Sequence, residues 1–339
     1  MWRWLKDRGD TVGATALVLA SAGCFDLPEF ASPTLIDRPR VLSVVANPPE
    51  ISSTGLTQLS VVVAGTERVS VTWYACARFD SFVGTTQYGE NSGEQGCSGE
   101  APLGRESPYT ALGADIVGEG EQDPAENPEL AAALAASVDE RARESLGGLD
   151  ISGELLTLMR ATIGIAYSVQ ADILTQPQNK RLRAVKRVLI SDRLTPHSNP
   201  PAPVFDFRDQ RVAGGGDRAA FRCSAETPLH ADPGERVTLR PFFEGEGDEE
   251  PWLETYNVLD ATGMLGTRRE RAFYSWYATA GELEEGTTEA PERENYWAAP
   301  GESRCAELWL VVRDGHGGEN ACGVPVAVGD AEGCEIVAP

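Results

Sequence analysis

Hydrophobic and polar residues alternate along much of this chain with a period of two. In "LTQLSVVVAG", Leu59, Val61 and Val63 share one face, with Gln58 and Ser60 opposite. "RVSVTWYACA" does the same with Val69, Val71, Trp73 and Ala75. The longest case is "IGIAYSVQADI". There Ile163, Ile165, Tyr167, Val169, Ala171 and Ile173 lie on one side, and Gly164, Ser168, Gln170 and Asp172 on the other. Alternation over short runs predicts half-buried strands. "RVLSVVANPPEI" (Arg40 to Ile51) predicts a strand stopped by Pro48-Pro49, and "TQPQNK" (Thr175 to Lys180) a turn into a return strand, "RLRAVKRVLIS".

The second half repeats the pattern. "AFRCSA" predicts a strand, and "DPGERVTLRPFF" a turn at Pro233-Gly234 followed by a strand with Val237 and Leu239 inward. "RAFYSWYATAG" carries the same Trp-Tyr-Ala core as "VTWYACA". "AELWLVVRDGHGG" puts Leu308, Leu310 and Val312 on one face, turns at Asp314-Gly315 and returns as "ACGVPVAV". A long insertion, about residues 78–160, breaks the first half. It begins as a Gly, Glu and Ser-rich loop and continues as a helix, with Asn127 as cap, Pro128 at the first helical position and Leu130, Leu134 and Val138 as a stripe. A second short helix is expected around Gly153 to Met159. "TPHSNPPAP" (Thr195 to Pro203) reads as a proline-rich hinge.

Each half therefore runs strand, turn, strand, Trp-bearing strand, long loop, long strand, turn, last strand. This order resembles immunoglobulin-like sandwiches, and "VVRDGHGG…VPVAV" looks like the last hairpin of the immunoglobulin-like and PKD-like modules of bacterial surface proteins. The resemblance implies a mainly β chain of two immunoglobulin-like β-sandwiches in tandem, the first carrying the loop-plus-helix insertion. Trp73 and Trp276 are expected in the two cores. The expected divisions are a leader over 1–23, a tether over 24–37, a first domain over 38–194, the hinge over 195–203, a second domain over 204–330 and a tail over 331–339.

The leader rests on a basic start (Arg3, Lys6, Arg8), an uncharged run from Thr11 to Gly23, and Ser21-Ala22-Gly23 leading into Cys24. The run is too short to span a bilayer as a helix. It resembles the lipobox of bacterial lipoproteins, which implies lipidation of Cys24. Phe25 and Asp26 follow, and by resemblance to known sorting rules the absence of Asp directly after the cysteine favours the outer membrane. The chain has 7 cysteines, and an odd count in an exported protein needs an explanation. With Cys24 lipidated, six remain for bridges in an oxidising compartment.

Within the sandwich reading, Cys76 lies on the face opposite Trp73 and has Cys97 as its neighbour in the insertion. Cys305 and Cys322 open opposite strands of a hairpin, roughly eight residues apart at about 3.4 Å each, too far to bridge. Cys334 returns past the last strand towards Cys305. The first strand of such sandwiches often runs parallel beside the last, which brings Cys223 to Cys322. The expected bridges are Cys76–Cys97, Cys223–Cys322 and Cys305–Cys334.

The balance of 52 acidic against 29 basic side chains, a net charge of −23, argues against nucleic acid and against adsorption to anionic lipid. Calcium is the one metal the composition suggests, at Glu121 and Asp123 or at Asp248 and Glu249, though neither loop has the spacing of a dedicated calcium loop. The cysteines lack metal-ligand spacing, and "GGGD" (Gly214 to Asp217) lacks the residues of a phosphate loop. His197, His230 and His316 share no local motif with a nucleophile, and no GxSxG elbow is present. The expected function is a non-catalytic, lipid-anchored envelope protein whose insertion meets a protein or glycan partner, with no cofactor. The alternative is a carbohydrate-binding or adhesive module using Trp252, Tyr256, Tyr296 and Trp297 as stacking aromatics. A carboxylate-dependent hydrolase is the remote third reading.

Overall fold

The computed structural model describes residues 33–52, 54–75, 88–89, 102–105, 107–112, 159–214, 221–242, 250–259 and 265–335. Cys24, Cys76, Cys97, the helix expected after Asn127, and Glu121, Asp123, Asp248 and Glu249 lie outside the described residues.

The first sandwich is built from β1 (Arg40–Asn47), β2 (Glu50–Ile51), β3 (Leu56–Ala64), β4 (Arg68–Ala75), β5 (Tyr88–Gly89), β6 (Pro102–Gly104), β7 (Tyr109–Leu112), β8 (Ile165–Gln176) and β9 (Arg181–Ile190). One sheet has the order β1-β3-β7; the other has β2-β9-β8-β4-β6, with β5 also paired to β9. The second sandwich is built from β10 (Val204–Phe207), β11 (Gln210–Gly214), β12 (Cys223–Ala225), β13 (Leu229–Ala231), β14 (Arg236–Pro241), β15 (Thr255–Leu259), β16 (Leu265–Arg269), β17 (Phe273–Ala278), β18 (Glu282–Leu283), β19 (Thr287–Glu289), β20 (Asn295–Ala298), β21 (Arg304–Arg313) and β22 (Glu319–Val328). Its sheets have the orders β12-β11-β10-β14-β20-β18 and β13-β22-β21-β17-β19, and β15-β16 stand apart as a hairpin.

In each half a short early strand pairs parallel with the last one, β2 with β9 and β13 with β22. The Trp-bearing strands β4 and β17 pair antiparallel with the long strands β8 and β21. That is the immunoglobulin-like arrangement, so the chain is mainly β with two such sandwiches. Trp73 and Trp276 are buried in the two cores. Cys223 is bonded to Cys322, with Cα atoms 5.2 Å apart, and Cys305 to Cys334, at 5.4 Å.

The outer face of β1 and β3 is not solvated. Leu42, Val45, Val62 and Ala64 pack against Trp309, Val311 and Ala321 from β21 and β22, with Ile36 and Phe221 beside them. The four sheets thus enclose three apolar layers: one inside each sandwich and a third between them. A bulge makes this possible in β1. The register slips between Val41 and Ser43, so Val41, Val44 and Ala46 face the first core while Leu42 and Val45 face the second sandwich.

Several expectations need correction. The strand expected to include Ile163 starts at Ile165. Residues 159–162 are helical, the amides of Ile163 and Gly164 close onto the Met159 carbonyl, and Gly164 turns the chain at a φ of 72°. The insertion is not wholly external to the fold, because β6 pairs with β4 and β7 with β3 inside it. Val204–Gly214 forms a hairpin that opens the second sandwich, where no strand was expected. The end of the tether is docked: Leu35 bridges Ala278, the Ile36 amide donates to the Ala278 carbonyl at 2.8 Å, and Thr34 and Ile36 are buried. Among the described residues, no helix is long and apolar enough to cross a membrane.

Candidate functional site

The connection over 191–203 was expected to be a hinge. It is instead held by both sandwiches. The Ser191 hydroxyl and the His197 amide donate to the two oxygens of Glu50, a side chain with no exposure, and Arg193 lies 3.4 Å from the same carboxylate. Asn199 donates to the Ala46 carbonyl at 2.7 Å and accepts from the Glu319 amide at 3.0 Å. Asn320 donates to the Pro200 carbonyl. A segment with this many partners in two bodies does not pivot freely.

His197 is the centre of what these contacts build, and its side chain is 1% exposed. Three carboxylates reach it from two loops of the second sandwich. Glu254 and Glu270 stand at the base of the β15–β16 hairpin, where the Glu270 amide donates to the Glu254 carbonyl and the Glu254 amide to Glu270 Oε2. Asp314 stands in the β21–β22 turn. Its Oδ1 accepts the amides of His316, Gly317 and Gly318 at 2.6, 3.0 and 3.0 Å, which fixes the carboxylate before it meets the histidine. Asp314 Oδ2 lies 3.0 Å from His197 Nε2, Glu270 Oε1 lies 2.9 Å from Nδ1, and Glu254 Oε2 lies 3.2 Å from Nδ1. The Ser198 hydroxyl donates to Glu254 Oε1 at 2.5 Å.

The electrostatics follow from this crowding. Burial opposes a charged imidazole, but the Asp314 and Glu270 carboxylates outweigh it and push the pKa of His197 up to about 10. Burial raises Glu270 despite the adjacent histidine, and the Asp314 charge adds to that. His316 is neutral: burial and the His197 charge push it down to about 4. Its ring stacks on Tyr256 at 3.7 Å and meets His197 edge-on at 4.9 Å.

A second buried pair lies nearby. Lys186 Nζ on β9 donates to Glu319 Oε1 and to the Gly317 carbonyl, each at 2.6 Å. Arg313 Nε lies 3.4 Å from Glu319 Oε2, and its other nitrogens donate to the Leu42 carbonyl and Ser275 Oγ. This network crosses from the first sandwich to the second.

The aromatics expected to stack on sugar do not form a platform. Trp297 is fully buried in the second core, and Trp252 packs against that core. Tyr256 is covered by His316, and Arg236 lies 3.6 Å over the ring of Tyr296. Each is occupied by its own fold. Nor does His197 suit a serine–histidine–acid site, since both ring nitrogens face carboxylates and Ser198 donates to Glu254. His230 is exposed and its Nε2 lies 2.9 Å from the Gly329 carbonyl. Sequence reasoning placed His197 and His316 in a hinge and a turn and found nothing between them, and it did not single out Lys186, Glu254, Glu270, Asp314 or Glu319.

No family model matches the chain, and no curated protein does. Among solved structures the chain is similar to the D0-D1 domain of Intimin, at 9% identity, over 84% of this chain and 98% of that one, with a TM-score of 0.19. So low a score transfers nothing. The description as two immunoglobulin-like sandwiches rests on the strand order and cores of this chain.

Proposed function

We propose that this protein is a non-catalytic, lipid-anchored scaffold of the bacterial cell envelope whose rigid two-sandwich body, with the insertion of its first sandwich, meets a protein or glycan partner. The observation that carries the reading is the apolar layer between the sandwiches, closed by the buried Lys186–Glu319 pair. A body welded in this way suits holding a partner at a fixed distance and angle, and long elaborations on rigid scaffolds tend to carry recognition. Export is supported by the two disulfides, which persist in oxidising compartments, and by the lipobox-like residues before Cys24. The net charge of −23 keeps copies apart and makes nucleic acid an unsuitable partner.

The test has two parts. Mass analysis of protein from its native host should find a lipid-modified Cys24 as the first residue; an unmodified leader would end the anchored reading. Crosslinking in intact cells should then capture the same neighbour with wild type but not with a 113–150 deletion, which spares β6 and β7. Equal capture by the deletion would place recognition elsewhere.

A further inference from the structure

The His197 cluster has the composition of a metal centre. A ring nitrogen of His197 and carboxylate oxygens of Glu270 and Asp314, all on buried residues, lie within 4.8 Å of one another. Ligands sharing one metal at about 2.0–2.2 Å come at least that close. The roles of the carboxylates differ. Asp314 is committed to its turn through Oδ1 and meets Nε2 through Oδ2. A carboxylate on the far nitrogen of a histidine is the usual brace of a metal-bound imidazole, because it fixes the tautomer and the ring orientation. Nδ1 is then the nitrogen left for a ligand, and Glu254 and Glu270 converge there at 3.2 and 2.9 Å.

A second observation points the same way. Glu270 Oε1 is buried and, although 2.9 Å from Nδ1, accepts no hydrogen bond among the described residues. The ring nitrogen's hydrogen bond goes to Glu254 instead. Three carboxylates around one protonated imidazole still leave net negative charge in a buried place; a divalent ion on Nδ1 displaces that proton and supplies the larger offsetting charge. Glu254, with 32% of its side chain exposed, leaves the site a way in from solvent.

We propose that His197 Nδ1, Glu254 and Glu270 bind one divalent transition-metal ion, with Asp314 bracing the histidine. The nitrogen donor selects zinc or manganese-like ions over calcium, which takes all-oxygen shells. The ligands come from the connection between the sandwiches and from the base of the β15–β16 hairpin. The ion therefore ties the connection to the second sandwich and is structural. The inference is independent of the envelope reading and stands or falls separately.

The experiment uses untagged full-length protein stripped with chelator and titrated with Zn²⁺, with Mn²⁺ and Ca²⁺ as separate arms. One Zn²⁺ or Mn²⁺ per chain should survive gel filtration, and Co²⁺ loading should give the visible absorption bands of a nitrogen–oxygen site. Glu270→Gln should abolish stoichiometric retention. Glu254→Gln, at a partly exposed position, should do the same with circular dichroism unchanged. Asp314→Asn, which can still accept the turn amides but offers an amide group to Nε2, should weaken binding by about 10–100-fold. Folded wild type that retains no metal, binds only Ca²⁺, or matches Glu254→Gln in stoichiometry would overturn the proposal.

Discussion

Lys186 and Glu319 are 3% and 2% exposed and come from different sandwiches; Lys186 is paired with Glu319, which also has Arg313 beside it. Truncating one partner of a buried pair leaves the other uncompensated, at about 3–5 kcal/mol. Because Arg313 still faces Glu319, Lys186→Met is expected to lose about 3 kcal/mol, the lower end of that range, in urea unfolding at pH 7. The pH dependence gives a sharper check. Burial raises the Glu319 carboxyl, but Lys186 and Arg313 outweigh it and hold it below its ordinary 4.5. A group with a lowered folded pKa stabilises fully above its unfolded value, and the contribution is lost as pH falls through the folded one. Wild type should therefore weaken in acid below about pH 4.5, and the deficit of Lys186→Met should shrink between pH 7 and 4 as the Glu319 carboxylate, left with Arg313 alone, takes up a proton more readily. A deficit that does not change with pH would mean that Lys186 matters for packing and not for charge. This pair was half legible in the sequence. The alternation of "RLRAVKRVLIS" puts Lys186 on the inward face with Ala184 and Val188, and an inward lysine in a strand demands an acidic partner. Which acid supplies it depends on a contact across 133 residues, and no local pattern encodes that.

Among the elements, the two disulfides of the described residues differ in access. Cys305 opens β21 in an exposed position and Cys334 lies half-buried in the tail, while Cys223 and Cys322 are 6% and 1% exposed. Exchange requires a thiolate to reach sulfur. A mild thiol reductant without denaturant should therefore free Cys305 and Cys334 first, read by alkylation and peptide mass, with Cys223 and Cys322 protected until the second sandwich unfolds. Simultaneous labelling of all four would show that the β12–β22 contact opens on its own. Strand register excluded Cys305–Cys322, since β21 and β22 align Cys305 with Ala327 and Cys322 with Leu310; pairing Cys223 with Cys322 also needed the sandwich resemblance, in which the first strand runs parallel beside the last, as Arg222 does beside Gly323. Other elements were harder to read. In "VFDF", Phe205 and Phe207 do point inward around Asp206, yet the preceding prolines made the whole stretch look like linker. In the β15–β16 hairpin, β16 has no buried face to read, since all of its residues are exposed. That hairpin positions Glu254 and Glu270, so the site was hidden along with it.

At the scale of the whole molecule, the question is whether two sandwiches unfold as two bodies or as one. Chains of this length often unfold domain by domain. Here the faces of β1, β3, β21 and β22 that would meet water in a free sandwich are buried against each other, and each of Leu42, Val62 and Val311 contributes about 1.5–3 kcal/mol by leaving solvent. The doubled burial also explains why the alternation gives way to continuous apolar runs at "VVVA" (Val61 to Ala64) and "LWLVV" (Leu308 to Val312): both of their faces are covered. Lone immunoglobulin-like strands of a sheet with one wet face would alternate. Wild type is therefore expected to unfold in a single transition, with tryptophan fluorescence and circular dichroism coinciding. Val311→Asp places a carboxylate in the middle layer while touching neither of the two sandwich cores. It should cost about 4 kcal/mol or more and split the curve into two transitions. Proteases should then cut near Leu194, which is fully exposed at the start of the connection. If Val311→Asp lowers stability but keeps one transition, the coupling lies in the pinned connection around His197 and Glu50 and not in the apolar layer.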